Sequence, residues 1–297
     1  MINPKARTLF TALLAVSLMA LSLTASAQAK LTGNYTKFAQ CPYPNTEVKK
    51  CIYSTTNSGE VVLGSKKVPI VNPVVLQGGY GKAVEGFAPF FGASNGVTLS
   101  KVAQPVPGGL AGLVNCKEIS EPFLRFSCEL TFENGLTGLN STLELAKPAS
   151  EIRISENNLA VEAGVALKLP VKVHLENPFL GSSCYVGSSS TPLKWELTSG
   201  ETSPPGPNTP IKGSAGELEF LEEGRILETK GAVLVDNAWS APGASGCGGF
   251  LIELLLNPII NAAAGLPAAA GHNTAILKNT VFVASAVAVR KNNEENP

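Results

Sequence analysis

Leu167-Lys168-Leu169-Pro170-Val171-Lys172-Val173-His174-Leu175 alternates aliphatic and polar side chains over nearly its whole length. Successive side chains of a strand point to opposite faces, so one face carries leucine and valine and the other carries Lys168, Lys172 and His174. The run predicts a half-buried strand, packed on one side and wet on the other. Pro170 marks an edge or a bulge, because proline donates nothing to a ladder. The composition agrees: 29 glycines, 21 prolines and only 15% charged residues in 297 favour strands and turns over long helices.

Working outward, further strands are predicted over 49–55, 60–63, 67–71, 74–80, 96–102, 124–132, 142–146, 193–198, 216–221, 226–235 and 274–289. Asn57-Ser58-Gly59, Glu133-Asn134-Gly135 and Glu222-Glu223-Gly224 have the chemistry of tight reversals, the last two as hairpin turns. Residues 250–264 resist the β reading: Phe250 to Leu256 is apolar except for Glu253, alanines follow, and Gly265 is a natural C-cap. They predict a short buried helix, whole or broken at Pro258. The expected fold is mainly β, an antiparallel sandwich-like architecture. It is either one continuous domain or two packed β-rich halves, 28–147 and 148–297, meeting in the Leu145-Ala146-Lys147-Pro148-Ala149-Ser150-Glu151 stretch. Pro122-Phe123-Leu124-Arg125-Phe126-Ser127-Cys128 and Pro178-Phe179-Leu180-Gly181-Ser182-Ser183-Cys184 share five of seven residues, a hint of duplication. The proline-rich 199–210 segment reads as a surface excursion in preference to a binding loop.

Residues 1–27 read as an export signal: Lys5 and Arg7, an apolar stretch from Leu9 to Leu23, then Ala25-Ser26-Ala27 with cleavage after Ala27. Its removal leaves 21 basic against 23 acidic residues, a net charge of −2. Such a surface gives no reason to expect nucleic acid or anionic lipid as a partner, and no stable membrane span is expected after cleavage. Export also sets the meaning of six cysteines. An oxidising compartment pairs thiols, so Cys41, Cys51, Cys116, Cys128, Cys184 and Cys247 read as three disulfides. Six cysteines allow 15 connectivities. Sequence proximity favours Cys41 with Cys51, Cys116 with Cys128 and Cys184 with Cys247. No Cys-x-x-Cys pair or matched histidine suggests zinc, and neither metal nor cofactor is expected.

Catalytic groups are scarce, with one aspartate, Asp236, and two histidines, His174 and His272. Gly92-Ala93-Ser94-Asn95-Gly96 matches the pattern of a nucleophile elbow, and Ser94, Asp236 and His272 follow in the order of that fold. An elbow, however, needs a helix after the serine, whereas the residues following Ser94 read as strand. Glu217 and Glu219 would share a strand face about 7 Å apart, within the window that the two carboxylates of an inverting glycosidase use, yet a solvated strand face is the preferred reading. Glu253 lies either on the outer side of its helix or buried with a raised pKa. Asn34-Tyr35-Thr36 and Asn140-Ser141-Thr142 are glycosylation sequons, relevant only in a glycosylating pathway. Leu266 to Gly271 with the apolar 281–289 stretch lacks the threonine of a sortase tail and reads as a final core strand.

The two Pro-Phe-Leu-x-x-Ser-Cys segments, Leu193 to Gly200 and the Gly243-Ala244-Ser245-Gly246-Cys247-Gly248-Gly249 loop resemble a group of uncharacterised exported proteins of high-GC Gram-positive bacteria. The resemblance implies secretion and no activity. The chain is therefore expected to be a secreted, disulfide-stabilised, non-catalytic protein of the cell exterior or envelope, binding an extracellular partner or serving structurally. Two alternatives stand beside it. One is a carrier of an apolar small molecule, with a cavity of several hundred Å3 walled by Phe250 to Leu256 and Val281 to Val289. The other is a secreted hydrolase using Ser94.

Overall fold

A computed structural model of the chain describes residues 30–109, 120–122, 125–126 and 138–296. Fourteen strands form one antiparallel sheet. They are β1 (Lys50–Leu63), β2 (Lys66–Ile70), β3 (Val74–Tyr80), β4 (Ala88–Gly92), β5 (Ala103–Pro105), β6 (Asn140–Leu145), β7 (Arg153–Ile154), β8 (Leu167–Glu176), β9 (Tyr185–Val186), β10 (Leu193–Leu197), β11 (Glu217–Leu221), β12 (Ile226–Asp236), β13 (Ala244–Ser245) and β14 (Thr274–Ser285). The main path runs β11-β12-β14-β1-β3-β4-β7-β8-β6-β5. β4 is the corner, pairing with β3 through Gly78 to Tyr80 and with β7 through Ala88 and Pro89. The two arms of the sheet thereby face one another, sandwich-like, over a core that joins Ile52, Leu76 and Leu277 to Leu169, Val171 and Trp195. That core draws on both halves of the chain. Helices α1 (Glu156–Ala160), α2 (Gly249–Ala264) and α3 (Ala286–Glu295) complete the architecture.

The alternating run that predicts a strand is β8, its odd-numbered residues Leu167 to Leu175 buried and its even-numbered ones half-buried. It is not an edge. Pro170 sits where one neighbour gives way to another, β7 pairing no further than Lys168 and β6 beginning opposite Val171. The N–H and C=O of a strand residue point to the same side, and the Pro170 carbonyl accepts from Ala146 N on the β6 side at 3.0 Å. The missing donor therefore falls in the gap between β7 and β6, and no ladder bond is lost.

Other expectations are corrected. Asn57-Ser58-Gly59 is a bulge inside the 14-residue β1, where the register to β14 slips between Thr56 and Ser58. The actual reversal is at Gly64-Ser65, between Leu63 and Lys66. Residues 96–102 form no strand; they touch β3 through Gln77 N to Thr98 O and Ser100 N to Val75 O, at 2.8 Å each. The run 274–289 is a strand only to Ser285, whose hydroxyl caps α3 by accepting from Ala288 N at 3.1 Å. The 250–264 helix is unbroken at Pro258 and only partly buried: Ile252, Leu254 and Leu255 are exposed, while Leu256, Ile260 and Ala264 enter the core. Gly265 ends it in the left-handed conformation, as expected. Glu222-Glu223-Gly224 does form the β11–β12 hairpin, all three at positive φ. Of the expected 124–132 strand only Arg125 and Phe126 are described, and they are helical, Arg125 N donating to the Glu121 carbonyl at 2.8 Å; the rest of that run, the Glu133-Asn134-Gly135 turn and most of the Pro122 to Cys128 segment lie outside the described residues.

Candidate functional site

Between the two arms lies a cavity of about 120 Å3. Val61 and Leu76 wall it from one arm, Leu169, Val173 and Trp195 from the other, and Ile260 of α2 from above. Its apolar character follows from strand phase. These side chains occupy the inward positions of β1, β3, β8 and β10, and α2 turns its Ile260 and Ala264 flank to the same space. Wild-type interiors rarely keep voids of this size. Left empty, it would cost about 3 kcal/mol at ~24 cal/mol per Å3.

Six polar side chains interrupt the wall. Lys66 of β2 is one, and Gln104 of β5 is another, its Oε1 accepting from Val71 N and Asn72 N at 2.9 Å and its Nε2 donating to the Asn72 carbonyl at 2.8 Å. Thr56 donates to Asn279 Oδ1 at 2.7 Å and Asn279 Nδ2 donates to the Leu277 carbonyl at 3.0 Å, so this pair is satisfied within the wall. Ser54 of β1 and Ser141 of β6 also line the cavity, and neither hydroxyl makes a hydrogen bond among the described residues. An occupant with one polar group would find these two hydroxyls as partners in a mostly apolar chamber. Sequence reasoning missed this site. Ser54 belongs to a Ser/Thr-rich run that looks solvated, and Ser141 drew notice only as part of a sequon. The signal was phase: Ser141 shares the inward phase of Leu143 and Leu145. The expected cavity was larger and walled elsewhere. Among the described residues none of 252–256 or 281–289 lines it; α2 contributes Ile260 and Ala264, and β14 contributes Leu277 and Asn279.

The cysteine frame braces this chamber. Cys41–Cys51 and Cys184–Cys247 are disulfides, as sequence proximity suggests, while Cys116 and Cys128 lie outside the described residues. Cys184 and Cys247 are fully buried in the main core. Around them Gly246 N donates to Glu253 Oε1 at 2.9 Å, Cys247 N to Asn257 Oδ1 at 3.1 Å and Gly248 N to the Leu180 carbonyl at 2.7 Å. Glu253 thus neither floats in solvent nor sits buried without partners; it ties α2 to the disulfide loop.

The candidate catalytic groups are dispersed. Ser94 is exposed, beyond the end of β4, with its N–H bonded to the Gln40 carbonyl at 2.9 Å, and a turn rather than a helix follows it. His272 is exposed in the loop before β14. No hydrogen bond among the described residues joins Ser94, Asp236 and His272. Asp236 is buried, and its two carboxylate oxygens accept from Glu196 N at 2.7 Å and Ala238 N at 3.0 Å, so it serves the backbone. Glu217 and Glu219 are both exposed on β11, and Glu219 is paired to Lys230 at 2.5 Å. Among the described residues no three His, Cys, Asp or Glu side chains are gathered as a metal ion would need, and no helix is long and apolar enough to cross a membrane.

Burial pushes the Asp236 carboxyl above the ordinary aspartate range, opposed by the two backbone donors. A carboxyl raised in the fold binds its proton more tightly there than in the unfolded chain. Its contribution is therefore fully present below the unfolded pKa and is lost as pH rises through the folded one. Comparing urea midpoints of wild type and Asp236→Asn upward from about pH 4 should show the difference moving in favour of the variant. A difference that stays flat with pH would refute the assignment.

Comparison with known proteins leaves the chain by itself: no family model, no curated protein and no solved structure matches it.

Proposed function

We propose that the chain is an exported, disulfide-braced, non-catalytic binding protein whose interior chamber takes up a small or slender apolar molecule carrying one polar group. The export signal and the two buried-cysteine staples support secretion. The chamber supports the rest, and it is the observation that carries the reading: a mostly apolar void of about 120 Å3 whose wall holds two hydroxyls without a hydrogen bond among the described residues. An engineered apolar cavity of roughly 150 Å3 is enough to bind benzene. The chamber therefore matches a single ring or a short aliphatic chain, below the several hundred Å3 typical of drug-sized ligands. The hydrolase reading has no comparable support, since Ser94 is not joined to a base.

Two measurements test this. Native mass spectrometry of protein taken from its own culture medium should show a small apolar adduct, and calorimetric titration of the emptied protein with benzyl alcohol should show saturable uptake. Val173→Phe fills the chamber with ring carbons. It should reduce benzyl alcohol binding at least tenfold while leaving the melting temperature within a few degrees of wild type, because the added ring enters space that is already empty and the strain of overpacking a filled core does not arise. An adduct-free protein that takes up no benzyl alcohol, or equal binding by Val173→Phe, would defeat the proposal.

A further inference from the structure

The sheet does not close on itself. β11 ends the strand order, and among the described residues nothing pairs with its outer edge. Its side chains are exposed on both faces, with Leu218 61% and Phe220 69% accessible on one and Glu217 and Glu219 on the other. Registers place the apolar pair on the inner face of the sheet. Phe220 stands opposite Leu227, which stands opposite Val283 and then Ile52; Leu218 leads through Thr229 and Val281 to Ser54 on the chamber wall. Accessibility falls along the first row from Phe220 to Ile52, which is 8% exposed in the core. Leu218 and Phe220 thus extend the core-facing surface of the sheet beyond the point where the opposite arm covers it.

Exposed edges are ordinarily blunted, since their free N–H and C=O groups recruit other strands. Here the blunting is one-signed. Between Glu217 and Lys230 the hairpin holds five glutamates against Arg225 and Lys230. Both cations are already engaged: Lys230 with Glu219 at 2.5 Å and Glu228 at 3.6 Å, Arg225 with Glu223 at 3.1 Å. Glu217 makes no ion pair with any described residue. Directly opposed residues of an antiparallel pair share a face, and like charges set opposite one another are unfavourable. A second antiparallel copy of β11 centred on Leu218 or on Glu219 sets glutamate against glutamate, the register centred on Phe220 sets Glu219 against Leu221, and the alternative phase sets glutamate against leucine or phenylalanine. Self-pairing is therefore disfavoured by the strand's own charges.

We infer that β11 is a strand-addition site for a different polypeptide, an extended segment alternating lysine or arginine with aliphatic residues. Its backbone would complete the ladder, its aliphatic side chains would cover Leu218 and Phe220, and its cations would face Glu217 and Glu219. The site is separate from the chamber and stands or falls without it.

Fluorescence anisotropy of the full mature chain with a labelled Lys-Val-Lys-Val-Lys-Val peptide tests this. That peptide should bind at least tenfold more tightly than Glu-Val-Glu-Val-Glu-Val and than Lys-Lys-Lys-Val-Val-Val, which keeps charge and composition but loses alternation. N-methylation of the amides along one edge of the peptide should abolish binding, and along the other should not. The exposed substitution Phe220→Lys should weaken binding at least tenfold with an unchanged melting curve, and the double substitution Glu217→Lys, Glu219→Lys should reverse the preference between the lysine and glutamate peptides. Equal binding of the block peptide, indifference to N-methylation on both edges, or no binding at all would overturn the inference. So would a wild-type dimer in sedimentation that Phe220→Lys disperses, which would give the edge to a second copy.

Discussion

Replacing Cys184 and Cys247 together by alanine is expected to lower the unfolding free energy by about 4 kcal/mol, against about 3 kcal/mol for the Cys41 and Cys51 pair. The difference comes from loop length. The first bridge closes a sequence separation of 63 residues and the second one of 10, and in the chain-entropy model the unfolded ensemble loses more freedom when a longer loop is tied. Native packing acts in the same direction. Cys184 and Cys247 are both fully buried, and their loop receives the Glu253 and Asn257 side chains that fix the start of α2 over the core. Losing the bridge should therefore loosen α2 and open the chamber it covers. Urea denaturation of wild type and both double variants, with hydrogen exchange of the α2 amides, measures this. A larger loss from the Cys41–Cys51 removal, or α2 amides as protected as in wild type, would contradict it.

What could be read from the chain beforehand divides along physical lines. β8 was legible because its period of two survives nine residues, and β11–β12 because Gly224 marks a tight reversal between two strand-like runs; that Glu222 and Glu223 also take positive φ was not legible, since side chains of that kind disfavour it. Gly59 was misread for a related reason. Its backbone is at φ +139°, so glycine is required there, but the requirement comes from β14: a side-chain carbon would stand 2.0 Å from the Ile276 carbonyl oxygen. Local chemistry announces that a glycine is needed and not which neighbour demands it. Ser285 was equally ambiguous. The alternation of small and aliphatic residues runs through it into Ala286 and Val287, and only the hydrogen bond to Ala288 N turns strand into helix. The chamber was the least legible of all. It exists through the registers of both arms and the packing of Ile260 and Ala264 of α2 over them, none of which any one segment encodes, and its polar members look like surface residues when read one strand at a time.

Trp195→Ala should be the costliest single substitution in the chamber wall, lowering stability by about 3–5 kcal/mol. The indole is 1% exposed, packs against Trp239 with ring centroids 5.8 Å apart, and lines the cavity. Its removal forfeits buried apolar area and joins a second void to the first, so the surroundings cannot collapse to fill it. Trp195→Phe separates the contributions. The indole Nε1 has no hydrogen-bond partner among the described residues, so replacing it by a phenyl ring discards an unsatisfied donor along with some volume. That variant should lose less than about 1.5 kcal/mol, in the range of volume-conserving swaps. The enlarged chamber of Trp195→Ala also gives a linkage experiment. An occupant that binds only the folded state at 100 times its dissociation constant restores about 2.7 kcal/mol. Benzyl alcohol should therefore return most of the stability lost in Trp195→Ala while leaving Val173→Phe unmoved. Rescue of both variants alike would place the alcohol outside the chamber, and a loss below 1 kcal/mol in Trp195→Ala would mean that Trp195 is not the wall the fold makes it.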